Sequence, residues 1–140
     1  VSPEPQSILV VEDSSDDAFF LNYELRKTGI ETSVRIVEDG QEAIDYLSGA
    51  GKYAERKKFP LPTAIFLDLK LPILSGFEVL ARMRVEPALS RIPVFVLTGS
   101  SEARDRARAL ELGARDYLVK PLRAQKLREV MESLTLAAAR

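Results

Sequence analysis

Short runs of β-branched and aliphatic residues alternate along this chain with segments in which apolar residues recur every three or four positions. The runs are ILVV at 8–11, SVRIV at 33–37, TAIFL at 63–67, IPVFVL at 92–97 and YLV at 117–119. Between them, 16–27 carries Ala18, Leu21 and Leu25 on one stripe, 41–47 carries Ala43, Ile44 and Leu47, and 77–83 carries Val79, Leu80 and Met83, the spacing of packed helices. Segments 102–112 and 123–139 complete five predicted helices. The last of them directs Leu127, Val130, Met131, Leu134 and Ala138 inward, and Gly113 ends the fourth. Runs that are apolar on both faces belong to a parallel sheet covered on both sides. Five strands alternating with five helices predict a doubly wound α/β sheet in the order 2-1-3-4-5. Its switch point lies between the first and third strands, and ligands bind there, beyond the strands' carboxyl ends.

The pattern is interrupted once, by SGAGKYAERKKFPLP at 48–62, which is glycine-rich, basic and closed by prolines. It reads as a long loop before the third strand. The start, VSPEPQS at 1–7, reads as a flexible polar lead-in without the apolar core of a signal peptide. No internal repeat is present. With 140 residues and 46% hydrophobic content, residues 1–140 are expected to form one domain with its own core and no output domain.

Composition then narrows the chemistry. There is no cysteine and no histidine, which removes disulfides, thiolate nucleophiles, the commonest general base and the usual zinc ligands. Any reaction must run on carboxylates, hydroxyls and lysines. The formal charge of −1 advertises neither a nucleic-acid nor a membrane surface, and no apolar run approaches the roughly 20 residues of a membrane span. A soluble cytoplasmic protein is expected.

Against that background the strand ends stand out. The first strand runs into Glu12 and Asp13, the third into Asp68, the fourth into Thr98 and the fifth into Lys120. The topology brings the three acids together in one crevice, where like charges a few ångströms apart disfavour joint ionisation. Something cationic must offset them. Taken singly, each residue has an ordinary explanation: Asp13 or Ser14 as a helix cap, Thr98 before Gly99 as a turn, Lys120 before Pro121 as a surface lysine. Their coincidence at four strand ends favours a phosphate-handling site.

VVED at 10–13, LDLKLP followed by Gly76, LTGSS at 97–101 and LGARDYLVKP at 112–121 together resemble the response-regulator receiver domains of two-component signalling. The resemblance covers the chain from Ile8 to Leu134, and the separations of Asp68, Thr98 and Lys120 also match. It implies a flavodoxin-like (βα)5 fold and a role for each residue. Asp68 would accept a phosphoryl group from a histidine kinase. Asp13, Glu12, Asp68 and the backbone carbonyl of Lys70 would hold Mg²⁺, a hard cation suited to oxygen ligands. Lys120 and Thr98 would contact the phosphoryl oxygens. Drawing Thr98 inward would let Tyr117 rotate into the space it leaves, changing the face made by the fourth helix, fifth strand and fifth helix. The long loop, with YLSGAGKY and its proline-terminated end, resembles the stand-alone regulators of phytochrome-type histidine kinases. Output would then pass by contact with a downstream protein or by relay to a phosphotransfer protein.

Three readings remain beside this one. A flavodoxin-like FMN binder shares the fold, although EDSSDD is acidic where a phosphate loop is needed. An aspartyl-phosphate phosphatase of the haloacid dehalogenase type wants a second acid where Lys70 stands. A phosphorylation-independent adaptor would not need the acceptor set. The Lys70 side chain either points into the crevice to pair with Glu12 or faces solvent. The fourth helix, EARDRARALEL, interleaves charges of both signs, and the tail LTLAAAR extends apolar residues beyond one core stripe. A homodimer through the fourth helix, fifth strand and fifth helix is expected, with Arg104 or Arg108 of one subunit meeting acids of the other.

Overall fold

In the computed structural model, which describes residues 6–138 and their side chains as far as Leu134, five parallel strands form one sheet in the order β2-β1-β3-β4-β5. The strands are β1 (Gln6–Val11), β2 (Thr32–Val37), β3 (Ala64–Leu67), β4 (Val94–Thr98) and β5 (Asp116–Val119). Six α-helices connect and flank them: α1 (Ser15–Lys27), α2 (Gly40–Ser48), α3 (Gly76–Arg84), α4 (Pro87–Ser90), α5 (Ala103–Glu111) and α6 (Ala124–Ala138). The expected five helices are therefore six. The extra one, PALS, is a single turn opened by proline at its first position, too short to leave a periodic trace in the sequence. β1 also begins at Gln6, which pairs with Thr32, so the last two residues of the expected lead-in belong to the sheet.

Alternation along the buried strands sorts the core into two layers. Leu9, Val11, Ile65, Leu67, Val96 and Tyr117 face Val79, Leu80, Met83 and Ala109, on the side of α2, α3 and α5. Ile8, Val10, Phe66, Phe95, Leu97 and Leu118 face Leu21, Leu25, Leu127 and Met131, on the side of α1 and α6. The anticipated stripes of α1, α3 and α6 are buried, although the side chain of Ala138 lies outside the described residues. In α2, Tyr46 joins Ala43 and Leu47 in the core while Ile44 is only partly covered.

The segment at 48–62 is a packed structure. It carries a 3₁₀ turn at Gly51–Ala54, and Tyr53 tucks against Tyr46 and Phe59 with ring centroids 4.9 and 5.0 Å away. Arg56 supplies the polar half of the closure, donating to the carbonyls of Tyr46 at 2.8 Å, Leu47 at 2.7 Å and Phe59 at 3.2 Å. An arginine so placed satisfies the carbonyls left over at the C-terminus of α2 and the favourable end of its dipole.

Candidate functional site

Register sets the floor of the site. Val11 of β1 lies beside Leu67 of β3, so Glu12 and Asp68 leave the sheet as neighbours. The Asp68 amide donates to the Val11 carbonyl at 3.1 Å and the Glu12 amide to the Val37 carbonyl at 3.0 Å. On the other flank the Lys120 amide donates to the Thr98 carbonyl at 2.8 Å, which continues the β4–β5 ladder past its last pair and aims Lys120 back over Asp68. Gly76 opens α3 directly against this floor: a Cβ there would fall within the van der Waals shell of the Asp68 carbonyl oxygen and 2.8 Å from the Leu69 Cα. Ser14 caps α1 by accepting from the Asp17 amide at 3.2 Å.

The acids converge as their strand positions required. Carboxylate oxygens of Glu12, Asp13 and Asp68 lie within 4.8 Å of one another. Glu12 and Asp68 are buried and Asp13 is exposed, which leaves the cluster open on one side. The offsetting cation is Lys120: its ammonium contacts Glu12 Oε1, sits 2.9 Å from Asp68 Oδ2 and 2.8 Å from Asp17 Oδ2. Burial holds the Glu12 carboxyl above the usual carboxylate range, with Lys120 pulling the other way. Burial also works against the charged form of Lys120, but the bonds to Asp17, Glu12 and Asp68 outweigh it and its pKa is raised. The lysine is a fixed cation at every physiological pH.

Thr98 is fully buried and its hydroxyl faces the Ser100 amide at 3.5 Å. Tyr117 is buried too, its ring in the core and its hydroxyl donating to the Ser100 carbonyl at 2.7 Å. In this structure Thr98 and Tyr117 are both buried, and the tyrosine is tied to the loop that follows Thr98. Lys70 donates its amide to Asp68 Oδ1 at 3.3 Å, while its side chain is exposed. Glu12 takes Lys120 as its partner, so the crevice-facing alternative for Lys70 does not describe this structure. Arg108 is likewise engaged at home, its guanidinium 4.2 Å from the centre of the Phe77 ring.

Two acids that the sequence reading passed over belong to this neighbourhood. Asp17, half-exposed, holds Lys120 from the first turn of α1. Seven residues on, along the same face of the helix, Glu24 is buried and accepts from the Ala124 amide at 2.8 Å, capping the N-terminus of α6. Acids in the first turn of a helix ordinarily answer its dipole, so Asp16 and Asp17 look alike in sequence and only the fold separates them.

Three carboxylates, a lysine and a buried hydroxyl thus meet at the carboxyl edge of a 2-1-3-4-5 sheet. The chain belongs to the response regulator receiver domain family, whose model matches residues 8–132. Among curated proteins it is 36% identical to the response regulator Rcp1 of Synechocystis sp., over 99% of this chain and 97% of that protein. Among solved structures it resembles the phosphorylated cyanobacterial phytochrome response regulator RcpA (33% identity, TM-score 0.80, 94% of this chain and 91% of that one). It also resembles the bacteriophytochrome response regulator AtBRR (36%, TM-score 0.81, 95% and 94%) and the Mn²⁺-bound form of Rcp1 (36%, TM-score 0.77, 93% and 91%). Among the described residues no helix is long and apolar enough to cross a membrane.

Proposed function

We propose that this chain is a response regulator that takes a phosphoryl group from a histidine kinase onto Asp68, and that its kinase is of the phytochrome type. The observation that carries the reading is the pairing of a buried, strand-end carboxylate with a lysine ammonium 2.9 Å away, inside an acid cluster sized for a divalent cation. The donor set is hard oxygen throughout, which fits Mg²⁺. Glu12, Asp13, Asp68 and the Lys70 carbonyl would hold it, and the Mn²⁺-bound form of Rcp1 supports a cation of this class. Bound there, the ion offsets the acids and the charge spread over the phosphoryl oxygens.

The residues of the chain do the rest. An Asp68 oxygen attacks phosphorus; the new P–O bond forms as the P–N bond to the kinase imidazole breaks, and that nitrogen keeps the electron pair and is reprotonated. Lys120 faces the developing phosphoryl charge, and the Thr98 hydroxyl offers it a hydrogen bond. Phosphorylation exchanges the single charge of the Asp68 carboxylate for a phosphoryl group carrying roughly −1.5 to −2, a net gain of about half to one negative charge beside a lysine already committed to three acids, so the network must rearrange. Tyr117 lies one hydrogen bond from the β4–α5 loop that such a rearrangement would move.

The likeness to RcpA and AtBRR, named as phytochrome and bacteriophytochrome regulators, supports the kinase assignment. Phosphotransfer from a panel of purified histidine kinases tests it: a phytochrome-type kinase should label the chain fastest, and labelling by the other classes alone would refute the linkage. Output would pass to a downstream protein or a phosphotransfer protein. For assembly we favour a homodimer over α5, β5 and α6. Leu110 and Val119 are exposed, and Val119 shares the sheet face of Tyr117 by alternation. Leu136, in the apolar tail, has its side chain outside the described residues.

A further inference from the structure

We infer that Asp17 is a positioning residue of this site, holding the Lys120 ammonium so that Glu12 and Asp68 stay available to a divalent cation. The inference rests on the reading of Glu12, Asp13 and Asp68 as the cation site and adds to it a residue outside that cluster.

Lys120 has three donors and three carboxylate partners: Glu12, Asp17 and Asp68. Two of these also belong to the acid cluster. A cation that recruits Glu12 and Asp68 therefore competes with Lys120 for the same oxygens, and a partly buried ammonium stripped of both would be left without compensation. Asp17 is the one partner that the cation does not claim. It lies 2.8 Å from the ammonium, it is anchored through its own amide to the Ser14 cap, and it stands at the edge of the site with a half-exposed side chain.

There is also room for the lysine to shift. A cavity of about 270 Å³ lies beside the pair, lined by Asp17, Phe20, Lys120, Pro121 and Arg123 among others. The Lys120 ammonium, already bonded to Asp17, therefore has open space beside it in which to loosen its contacts to Glu12 and Asp68. The backbone on either side of the lysine is held meanwhile: its amide is bonded to Thr98, and the segment that follows is fixed by Glu24 at Ala124 and by Arg123 over the Phe20 ring at 5.2 Å.

If Asp17 acts through Lys120, removing its charge lets the ammonium settle fully on Glu12 and Asp68 and weakens cation binding. If Asp17 acts only as one more negative charge nearby, the loss is the same whether or not the lysine is present. A double-mutant cycle separates the two. Mn²⁺ affinity of the unphosphorylated protein would be measured by titration for the parent, Asp17→Asn, Lys120→Met and the double variant, with Asp17→Glu as the conservative rescue and circular dichroism to verify folding. Asp17→Asn should weaken Mn²⁺ binding roughly three- to tenfold in the parent background and less than about twofold beside Lys120→Met, and Asp17→Glu should recover most of the loss. Equal losses in both backgrounds, or no loss in the parent, would overturn the inference while leaving the metal site intact. A parent that binds no Mn²⁺ would refute the cation-site reading itself, and this one with it.

Discussion

The hydroxyl of Tyr117 donates to the Ser100 carbonyl at 2.7 Å, across the turn that joins β4 to α5. The ring sits in the core between the sheet and α5, so a residue inside β5 reports on the loop that follows Thr98. Tyr117→Phe keeps the ring and removes the bond. It should lower stability by about 0.5–1.5 kcal/mol, read as a shift in urea midpoint, and hydrogen exchange should accelerate in the 99–102 segment. Unchanged exchange there would show that the bond does not hold the loop.

The floor of the site is closely packed where α3 begins. At Gly76 a Cβ would meet the Asp68 carbonyl and the Leu69 backbone, neither of which can turn aside as a flexible side chain would. Gly76→Ala should therefore cost about 1–3 kcal/mol and slow the phosphorylation of Asp68, since relieving the contact moves the acceptor. Urea denaturation and the rate of labelling by acetyl phosphate measure the two effects. A variant as stable and as quickly labelled as the parent would contradict the packing described.

The buried aromatic cluster of the 48–62 segment makes its own pH signature. Burial pushes the Tyr53 hydroxyl up to about 12, with further help from its bond to Glu42 at 2.8 Å. A raised phenol pKa means that the fold prefers the neutral form. Its contribution is complete below the ordinary tyrosine value of 10.0 and is lost as pH rises toward about 12. Tyr53→Phe should accordingly be less stable than the parent at neutral pH, by about 0.5–1.5 kcal/mol, and the gap should close across that window. A gap that stays constant in denaturation curves from pH 9 to 12 would count against the assignment.

Assembly is open to direct test because Arg108, one of the arginines expected to cross the interface, stacks on Phe77 of its own chain. Charge reversal there would disturb the α3–α5 contact as well as any dimer. Leu110→Glu with Val119→Glu strikes two exposed apolar residues instead. Sedimentation should give a dimer for the parent and a monomer for this pair of substitutions. A monomeric parent, with and without phosphodonor, would exclude the interface.

These cases also mark what a sequence can and cannot disclose. Asp68, Thr98 and Lys120 were legible because each ends a run whose apolar character fixes it as a buried strand, and strand ends in this topology meet at a known place. Asp17 and Glu24 were not, since an acid on a helix reads as solvated unless the facing element is known, and the element facing both begins a hundred residues later at Lys120 and Ala124. The 48–62 segment hid its structure in the same way. Its glycines and basic residues suggest a solvated loop, yet Arg56 spends its donors on backbone carbonyls and Tyr53 completes an aromatic cluster. The hydrogen bond from Tyr117 to the Ser100 carbonyl was out of reach for another reason: a side-chain rotamer depends on what already fills the space, and periodicity carries no information about that.

Whether Asp68 is the phosphoacceptor can be read from intact mass after incubation with acetyl phosphate and Mg²⁺. The parent should gain a single phosphoryl group, lose it on addition of hydroxylamine as an acyl phosphate does, and gain none when Mg²⁺ is chelated. Asp68→Asn should gain none under any of these conditions. An Asp68→Asn protein that labels as readily as the parent would place the acceptor elsewhere in the chain.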